Sequence, residues 1–262
     1  ETIDMRTDPP PRGEWLAPRL RAAIAETLAA GEQTLLFLNR RGYAPLTLCR
    51  ACGHRFACTI CDAWLVDHRF RQRLVCHHCG FSMPRPQICP HCQAEETLVA
   101  VGPGVERLQE EAAALFPQAR TMVLSSDLIT SIETMRSELA DIAEGRVDII
   151  IGTQLVAKGH NFPRLNLVGV VDADLGLSNG DPRAAERTWQ LLNQVIGRAG
   201  REQGRGVGYL QTHQPEHPVM KALVANDREA FYDNEIESRE RAGYPPFGRL
   251  RSEEHTSELQ SH

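Results

Sequence analysis

The sequence has no apolar run near the roughly 20 residues that a membrane-spanning helix needs. Its first 14 residues are polar and contain prolines, unlike a secretory signal peptide. Only two of its 29 basic residues are lysines and the formal net charge is −5, so an overall basic signature for nucleic acid is missing. These absences favour a cytoplasmic protein with no membrane partner. Any nucleic acid must be held by local arginines or by a cleft.

The chain has 262 residues, 42% of them hydrophobic, enough for one sizeable core and a smaller module. Apolar runs typical of strands alternate with helical periodicity. Ile149-Ile150-Ile151 is apolar at every position, as in strands buried on both faces. The pattern predicts an α/β fold with a parallel sheet flanked by helices. The predicted strands are 34–38, 98–101, 121–124, 147–151, 167–171 and 207–212, and the predicted helices are 16–30, 104–116, 131–144 and 183–196.

The pattern breaks where all eight cysteines lie, because aliphatic residues are few there. A segment this poor in core residues must be held by something other than apolar burial. Pro9-Pro10-Pro11 blocks regular structure near the start. The predicted organisation is a linker or truncated edge at 1–15, an α/β domain at 16–46 and 97–213, an insertion at 47–96, the two-helix start of a C-terminal domain at 214–250, and an artefactual tail at 251–262 that resembles a translated sequencing adapter.

Four Cys-x-x-Cys pairs lie within 44 residues. Two thiolates two residues apart grip one Zn²⁺ from a tight turn, and two such turns complete a tetrahedron. Without a secretory signal, eight cysteines indicate metal, with disulfides or an iron–sulfur cluster as the alternatives. Gly53 and Gly80 directly follow two of the pairs, where the turn favours positive φ. We predict two structural zinc ions, because four protein ligands leave no open position for a water nucleophile.

The four pairs can join into two sites in three ways. Loop length favours joining the second pair to the third, separated by 14 residues, which leaves the outer pairs to close the base. We prefer this nested scheme to the cross-braced one. The first zinc then has the ligands Cys49, Cys52, Cys89 and Cys92, and the second has Cys58, Cys61, Cys76 and Cys79. Arginines that either offset the thiolate charge or contact phosphates are Arg50, Arg55, Arg69, Arg71, Arg73 and Arg85.

Three stretches carry motifs of superfamily 2 helicases. Residues 194–201 read QVIGRAGR and match the QxxGRxGR signature of motif VI. Residues 148–160, DIIIGTQLVAKGH, are similar to motif V, and residues 37–43, FLNRRGY, to motif IV. With the cysteine module between motif IV and the later motifs, the sequence resembles the primosomal protein N′ (PriA) family over roughly residues 16–250.

The resemblance implies a RecA-like helicase C-terminal lobe with an inserted zinc-ribbon-like module. Arginine fingers reach a γ-phosphate held by a facing lobe, and strand ends contact DNA phosphates. The expected catalytic residues are Arg198, Arg201 and Gln194, the last on the same helix face as Arg198. The expected nucleotide contacts are Gly159 and His160, and the expected DNA contacts are Asn39, Arg40, Arg41, Thr153 and Lys158. Asp172 and Asp174 are expected to be structural or interlobe residues rather than metal ligands.

The resemblance also implies an ATP-dependent 3′-to-5′ DNA helicase, with Mg²⁺, that restarts replication and assembles the primosome at stalled forks. Its partners would be forked and single-stranded DNA, single-strand-binding protein and other primosome proteins, at the nucleoid. The sequence has neither a GxxxxGK[ST] loop nor a DExH box, so we expect no ATP hydrolysis from this chain alone. The alternatives are a superfamily 2 translocase that does not unwind, and a zinc-ribbon binding module on an inactive α/β scaffold.

Overall fold

The computed structural model describes residues 1–39, 46–60, 65–68, 73–76, 79–95, 97–101, 105–124, 131–153, 162–177, 182–200 and 206–249. Within these ranges, no helix has both the length and the apolar character needed to cross a bilayer. The elements in chain order are β1 (Thr2–Asp4), α1 (Pro18–Ala29), β2 (Gln33–Phe37), β3 (Leu46–Cys49), β4 (Val66–His68), β5 (Arg73–Val75), β6 (Ser82–Pro84), β7 (Leu98–Val101), α2 (Val105–Leu115), β8 (Thr121–Leu124), α3 (Ile132–Ala143), β9 (Ile149–Gly152), β10 (Leu165–Val170), α4 (Ala184–Ile196), β11 (Val207–Thr212), α5 (Pro218–Ala225) and α6 (Arg228–Ala242).

Six parallel strands form the larger sheet, in the order β1-β11-β10-β2-β9-β8. The central strand β2 is buried along its whole length, and its Leu35 pairs with Ile150 on one side and Val168 on the other. Strands that bury both faces need apolar side chains at every position, which explains the uninterrupted runs in the sequence. The predicted RecA-like α/β architecture with an inserted cysteine module is confirmed.

Helices cover both faces of this sheet. Alternate residues of a strand point to opposite faces, so Phe37 packs with α3 and α4 while Leu36 packs with α1 and α2. Gly169 in β10 lets α1 approach closely, since a Cβ there would lie 2.9 Å from Leu20 Cδ1. Each fully buried leucine stabilises the fold by about 1.5–3 kcal/mol, so the two cores on either side of the sheet are a major source of its stability.

The cysteine module has its own antiparallel sheet of five short strands, in the order β6-β5-β4-β3-β7. Residues 98–101, which we predicted as part of the α/β domain, belong to this second sheet, where Cys49 pairs with Leu98. An apolar run of four residues suits either kind of sheet, so the sequence pattern did not separate them. The module extends through β7 rather than ending at residue 96.

The first residues, which we predicted to be a linker or a truncated edge, include a strand. Strand β1 pairs in parallel with β11 and forms one edge of the large sheet. Ile3 is 1% exposed and Met5 packs beside it in the core under α1. Two buried apolar side chains and a strand ladder hold this segment to the domain despite the prolines that follow. Beyond β11, the two predicted helices are present as α5 and α6.

Candidate functional site

Two candidate DNA contacts lie at the carboxyl edge of the large sheet. Asn39 follows β2 and Thr153 follows β9, and these strands are neighbours, with the Leu38 amide donating to the Gly152 carbonyl at 2.9 Å. Both side chains are half-buried. Ligands of parallel α/β sheets bind outside the carboxyl ends of strands. That Asn39 and Thr153 contact DNA stays a prediction.

The described end of motif VI, Ala199 and Gly200, lies at the opposite edge. The Gly200 amide donates to the carbonyl of Leu165, the first residue of β10, at 2.8 Å. A Cβ on Gly206, the residue before β11, would lie 2.1 Å from the Ala199 carbonyl carbon. The loop after α4 is therefore held against the amino ends of two neighbouring strands. Phe162, two residues after motif V, is at this edge too, because its carbonyl accepts from the Leu165 amide at 3.1 Å.

Arg198 and Gln194 do not share a helix face as we expected. Helix α4 ends at Ile196, so Arg198 lies beyond the Gly197 cap. The Arg198 side chain is only 4% exposed, whereas Gln194 is exposed on the helix. The helical spacing argument fails because the α-helix ends at Ile196 and the backbone tightens there, with the Arg198 amide donating to the carbonyl of Val195, three residues earlier, at 3.1 Å. In this conformation Arg198 does not project from an open surface.

Several predicted site residues lie outside the described residues. They are Arg40, Arg41, Cys61, Lys158, Gly159, His160 and Arg201. Their assignments remain predictions from the motifs.

The first cysteine cluster brings the outer pairs together. The sulfurs of Cys49, Cys52, Cys89 and Cys92 all lie within 4.8 Å of one another. The Sγ atoms of Cys49 and Cys92 are 3.6 Å apart, and those of Cys52 and Cys89 are 3.8 Å apart. A zinc tetrahedron with bonds of about 2.3 Å has sulfur–sulfur edges of about 3.8 Å, so the geometry fits this ion. A disulfide, at about 2.05 Å, does not describe these contacts.

The second cluster joins the inner pairs. Cys58, Cys76 and Cys79 have their sulfurs within 4.8 Å of one another, with 3.5 Å between the Sγ atoms of Cys58 and Cys79. Together the two clusters follow the nested grouping, not the cross-braced one. None of the seven described cysteines forms a disulfide.

Three knuckle turns repeat one hydrogen-bond pattern. The amides of Gly53, Gly80 and Gln93 each donate to the carbonyl of a cysteine four residues earlier, at 2.8, 3.0 and 2.9 Å. Gly53 and Gly80 have φ of 75° and 78°, as predicted from their positions, and the third turn uses Gln93 at 60°. The positive φ reverses the chain, so that both cysteines of a pair face the same point.

Cys49 shows how the protein prepares a thiolate. Although burial raises it, hydrogen bonds from Thr97 and from the backbone amides of Cys52 and Ala51 lower the pKa of Cys49 to about 7. The Thr97 Oγ1 lies 3.1 Å from the Cys49 sulfur. Deprotonated sulfur is the form that binds metal, so these donors favour that form at Cys49. Burial raises the pKa of Cys52, in the same cluster, to about 12. Sequence analysis missed Thr97 because no local pattern ties it to a cysteine 48 residues away.

Asp172 and Asp174 face an arginine rather than an open site. Arg55 Nη2 donates to Asp174 Oδ2 at 2.8 Å and lies 3.5 Å from Asp172 Oδ1. Burial raises the pKa of Asp172, and the nearby Arg55 charge acts in the opposite direction. The preference for a structural role over a metal site is in line with this geometry. Sequence analysis had Arg55 as either a counter-charge to the thiolates or a phosphate contact, and missed this specific contact.

Comparisons with known proteins match two parts of the chain to described families. Residues 58–84 match the family described as "PriA DNA helicase Cys-rich region (CRR) domain". Residues 88–203 match the "Helicase conserved C-terminal domain" family. The two matches fall on the inner cysteine pairs and on the later strands and motifs of the large sheet.

Curated relatives extend the similarity along nearly the whole chain. The replication restart protein PriA of Rickettsia felis is 48% identical over 252 residues, which cover 96% of this chain and 39% of that protein. The PriA protein of Bacillus subtilis is 42% identical, covering 87% of this chain and 28% of its own. That of Haemophilus influenzae is 42% identical, covering 84% and 30%. The chain thus spans about two fifths or less of the length of these relatives.

Proposed function

We propose, from the premise that this chain belongs to the PriA family of replication restart proteins, that it is the second motor lobe and zinc module of an ATP-dependent 3′-to-5′ DNA helicase. The full protein unwinds stalled forks and assembles the primosome there. Its partners are forked and single-stranded DNA, single-strand-binding protein and other primosome proteins, and it works at the nucleoid.

The observation that carries this proposal is the separation of two groups of motif residues across one rigid sheet. Asn39 and Thr153 are at the carboxyl edge, and the loop of Arg198 and Gly200 is at the amino edge. Strand β10 has 6 residues, so the edges are roughly 20 Å apart at about 3.3 Å per residue. A motor needs a surface that binds the DNA strand (the strand track) and a site that senses the nucleotide, joined by a body that does not deform. The sheet supplies that body.

The motif residues have two roles in this proposal. Asn39 and Thr153 contact DNA phosphates, together with Arg40, Arg41 and Lys158. Gly159 and His160 contact the nucleotide, and Arg198 and Arg201 stabilise the transition-state charge on a γ-phosphate that the facing lobe holds with Mg²⁺. Because Arg198 is buried here, its contact requires the motif VI loop to move when the lobes close.

The zinc ions are structural in this proposal. Cys49, Cys52, Cys89 and Cys92 hold one, and Cys58, Cys61, Cys76 and Cys79 hold the other. Zinc supplies the cross-link that a module of short strands needs, because apolar burial alone is too small. The first cluster satisfies the ligand number and the spacing, which supports this assignment.

The test uses the full-length protein with a forked duplex. We expect Arg201→Ala and Arg198→Ala each to lower ATP turnover by about 10³-fold or more while DNA binding stays near wild type. Arg136→Ala, on the exposed face of α3, is the matched control and should leave turnover unchanged. This chain alone should hydrolyse no ATP, and measurable turnover from it would overturn the assignment as a second lobe.

The two alternatives give different results in the same assays. A translocase that does not unwind would hydrolyse ATP with DNA but release no strand from the fork. A zinc-ribbon binding module on an inactive scaffold would leave ATP turnover unchanged in both arginine variants.

A further inference from the structure

Arg55 follows the first zinc knuckle, the turn from Cys49 to Gly53, and its side chain reaches Asp174 in the turn after β10 of the large sheet. Its side chain is 8% exposed, and its partner Asp174 is completely buried. Solvent-exposed ion pairs exchange partners easily, but a dehydrated pair is held in one geometry, since separating it leaves an uncompensated buried charge. The contact joins residues 119 positions apart in the chain, one in the zinc module and the other in the turn that follows β10 of the large sheet.

The Asp174 carboxylate is itself held in place by two further hydrogen bonds. The Thr212 hydroxyl donates to Asp174 Oδ1, and the His213 amide donates to Asp174 Oδ2 at 2.8 Å. The zinc knuckle touches the same place through its backbone, because a Cβ on Gly53 would lie 2.7 Å from His213 Cβ. The module therefore rests on the large sheet at two points, a charge pair and a close backbone approach.

The loop that carries the two aspartates reaches the candidate DNA track on its other side. We call residues 172–176 the docking loop. Its Gly176 lies between two side chains, since a Cβ there would be 2.2 Å from Thr188 Oγ1 and 3.1 Å from Asn39 Nδ2. One short loop thus contacts the zinc module at one end and Asn39 of motif IV at the other. Both contacts are at the carboxyl edge of the sheet.

We propose that Arg55 is a positioning residue that docks the zinc module on the docking loop, so that the module stays fixed beside the strand track while the motor moves. The inference rests on the proposed helicase function. A module fixed in this way moves with the lobe as a single body, so each lobe movement displaces the module by the same amount relative to the DNA. A module that is free to tilt would let the lobe step without displacing the complementary strand.

The experiment measures base pairs unwound per ATP hydrolysed by the zinc-loaded full-length protein on a forked duplex. Arg55→Ala should lower this ratio by about tenfold or more. A small error in the position of the zinc module should reduce unwinding by more than the loss of one ion pair alone would suggest. Zinc content and DNA-independent ATP turnover should stay at wild-type values. Arg55→Lys, which keeps the charge as a single point donor, should lower the ratio by a smaller factor. Arg73→Ala is the matched control, since Arg73 is an exposed arginine of the same module whose side chain donates to the Ser82 hydroxyl and carbonyl within that module.

Amide hydrogen-exchange rates measure directly whether the zinc module stays docked. In Arg55→Ala, the His213 amide and residues 51–56 should exchange faster, with no change in β2. An unchanged unwinding ratio in Arg55→Ala overturns the inference, and so does a loss of zinc or of DNA-independent turnover, which would make Arg55 a stability residue only. Should Arg55→Ala fail to fold, a wild-type ratio in Arg55→Lys overturns it equally. A wild-type protein that releases no strand refutes the proposed function instead.

Discussion

Gly206 packs against Ala199 so closely that a Cβ on the glycine would lie 2.1 Å from the carbonyl carbon of Ala199. That Cβ would also lie 2.4 Å from the Gly200 nitrogen. Backbone atoms cannot swing aside as the end of a side chain can, so relief requires the loop after α4 to shift. The placement of Arg198 therefore depends on a glycine that lies outside the QxxGRxGR signature.

Gly206→Ala should disturb this loop. We expect a loss of about 1–3 kcal/mol in the unfolding free energy from overpacking, measured by denaturant titration of this chain. ATP turnover of the full-length protein should fall as well, because the loop carries motif VI. Gly31→Ala is the control: Gly31 has φ of 72° and no neighbour within 4 Å of a Cβ, so it tests backbone strain alone. Wild-type turnover in Gly206→Ala would contradict the role given to this contact.

Gln211 offers a test of how the first residues join the core. Its Oε1 accepts from the Ala17 amide at 2.8 Å, and its Nε2 donates to the carbonyls of Trp15 and Val171 at 2.8 and 3.0 Å. Gln211→Glu removes both donors and buries a carboxylate at a position that is 1% exposed. The unfolding free energy should fall by at least about 3 kcal/mol, since each unsatisfied buried group costs roughly 1–3 kcal/mol.

Gln118→Glu makes the same chemical change on the surface, where Gln118 is exposed. It should change stability by no more than about 0.5 kcal/mol. Equal effects in the two variants would mean that the Gln211 hydrogen bonds do not anchor the segment before α1.

Local patterns predicted the elements of the large sheet well, for a physical reason. The run from Ile149 to Ile151 is apolar at each position because both faces of β9 are buried. The helix predicted over 131–144 is observed as α3, with Ser131 as its N-cap accepting from the Thr134 amide. Strand burial and helix capping are decided within a few residues, so the sequence carries them locally.

Contacts between distant segments were beyond the same reasoning. The contact of Arg55 with Asp174 joins distant parts of the chain. The sequence did not distinguish Arg55 from the other arginines of the module. The strand β1 has only 3 residues and no periodicity, so its place beside β11 depends on tertiary pairing. Arg198 was assigned to a helix because its spacing from Gln194 fits one, yet that helix ends at Ile196.

The nested cysteine grouping predicts a specific pattern of zinc loss. Cys49→Ala and Cys89→Ala, separately or combined, should each leave about one zinc ion per chain, because both residues belong to one tetrahedron. Cys49→Ala combined with Cys76→Ala should leave none. Zinc is counted by mass spectrometry after gel filtration. The cross-braced arrangement would give the reverse for the two double variants, so the pair of measurements decides between the schemes.

Titration of His217 should contribute to the decrease of the unfolding free energy at acidic pH. Burial lowers the pKa of His217 below its ordinary value of 6.5, and the opposing effect of Asp174 is smaller. His217 caps α5, where its Nδ1 accepts from the Val219 amide at 3.2 Å. A proton on Nδ1 removes that acceptor, so the unfolded chain binds the proton more readily than the folded one.

Stability from this group is therefore present above about pH 6.5 and lost as the pH falls through the lowered pKa of His217. The unfolding free energy of the wild-type chain should decrease between about pH 7 and 5. His217→Asn keeps a capping acceptor that does not titrate, so its profile should be shallower over this range. A residual slope will remain, because burial lowers the pKa of His213 too. Identical slopes in the wild type and His217→Asn would show that the α5 cap does not couple to this titration.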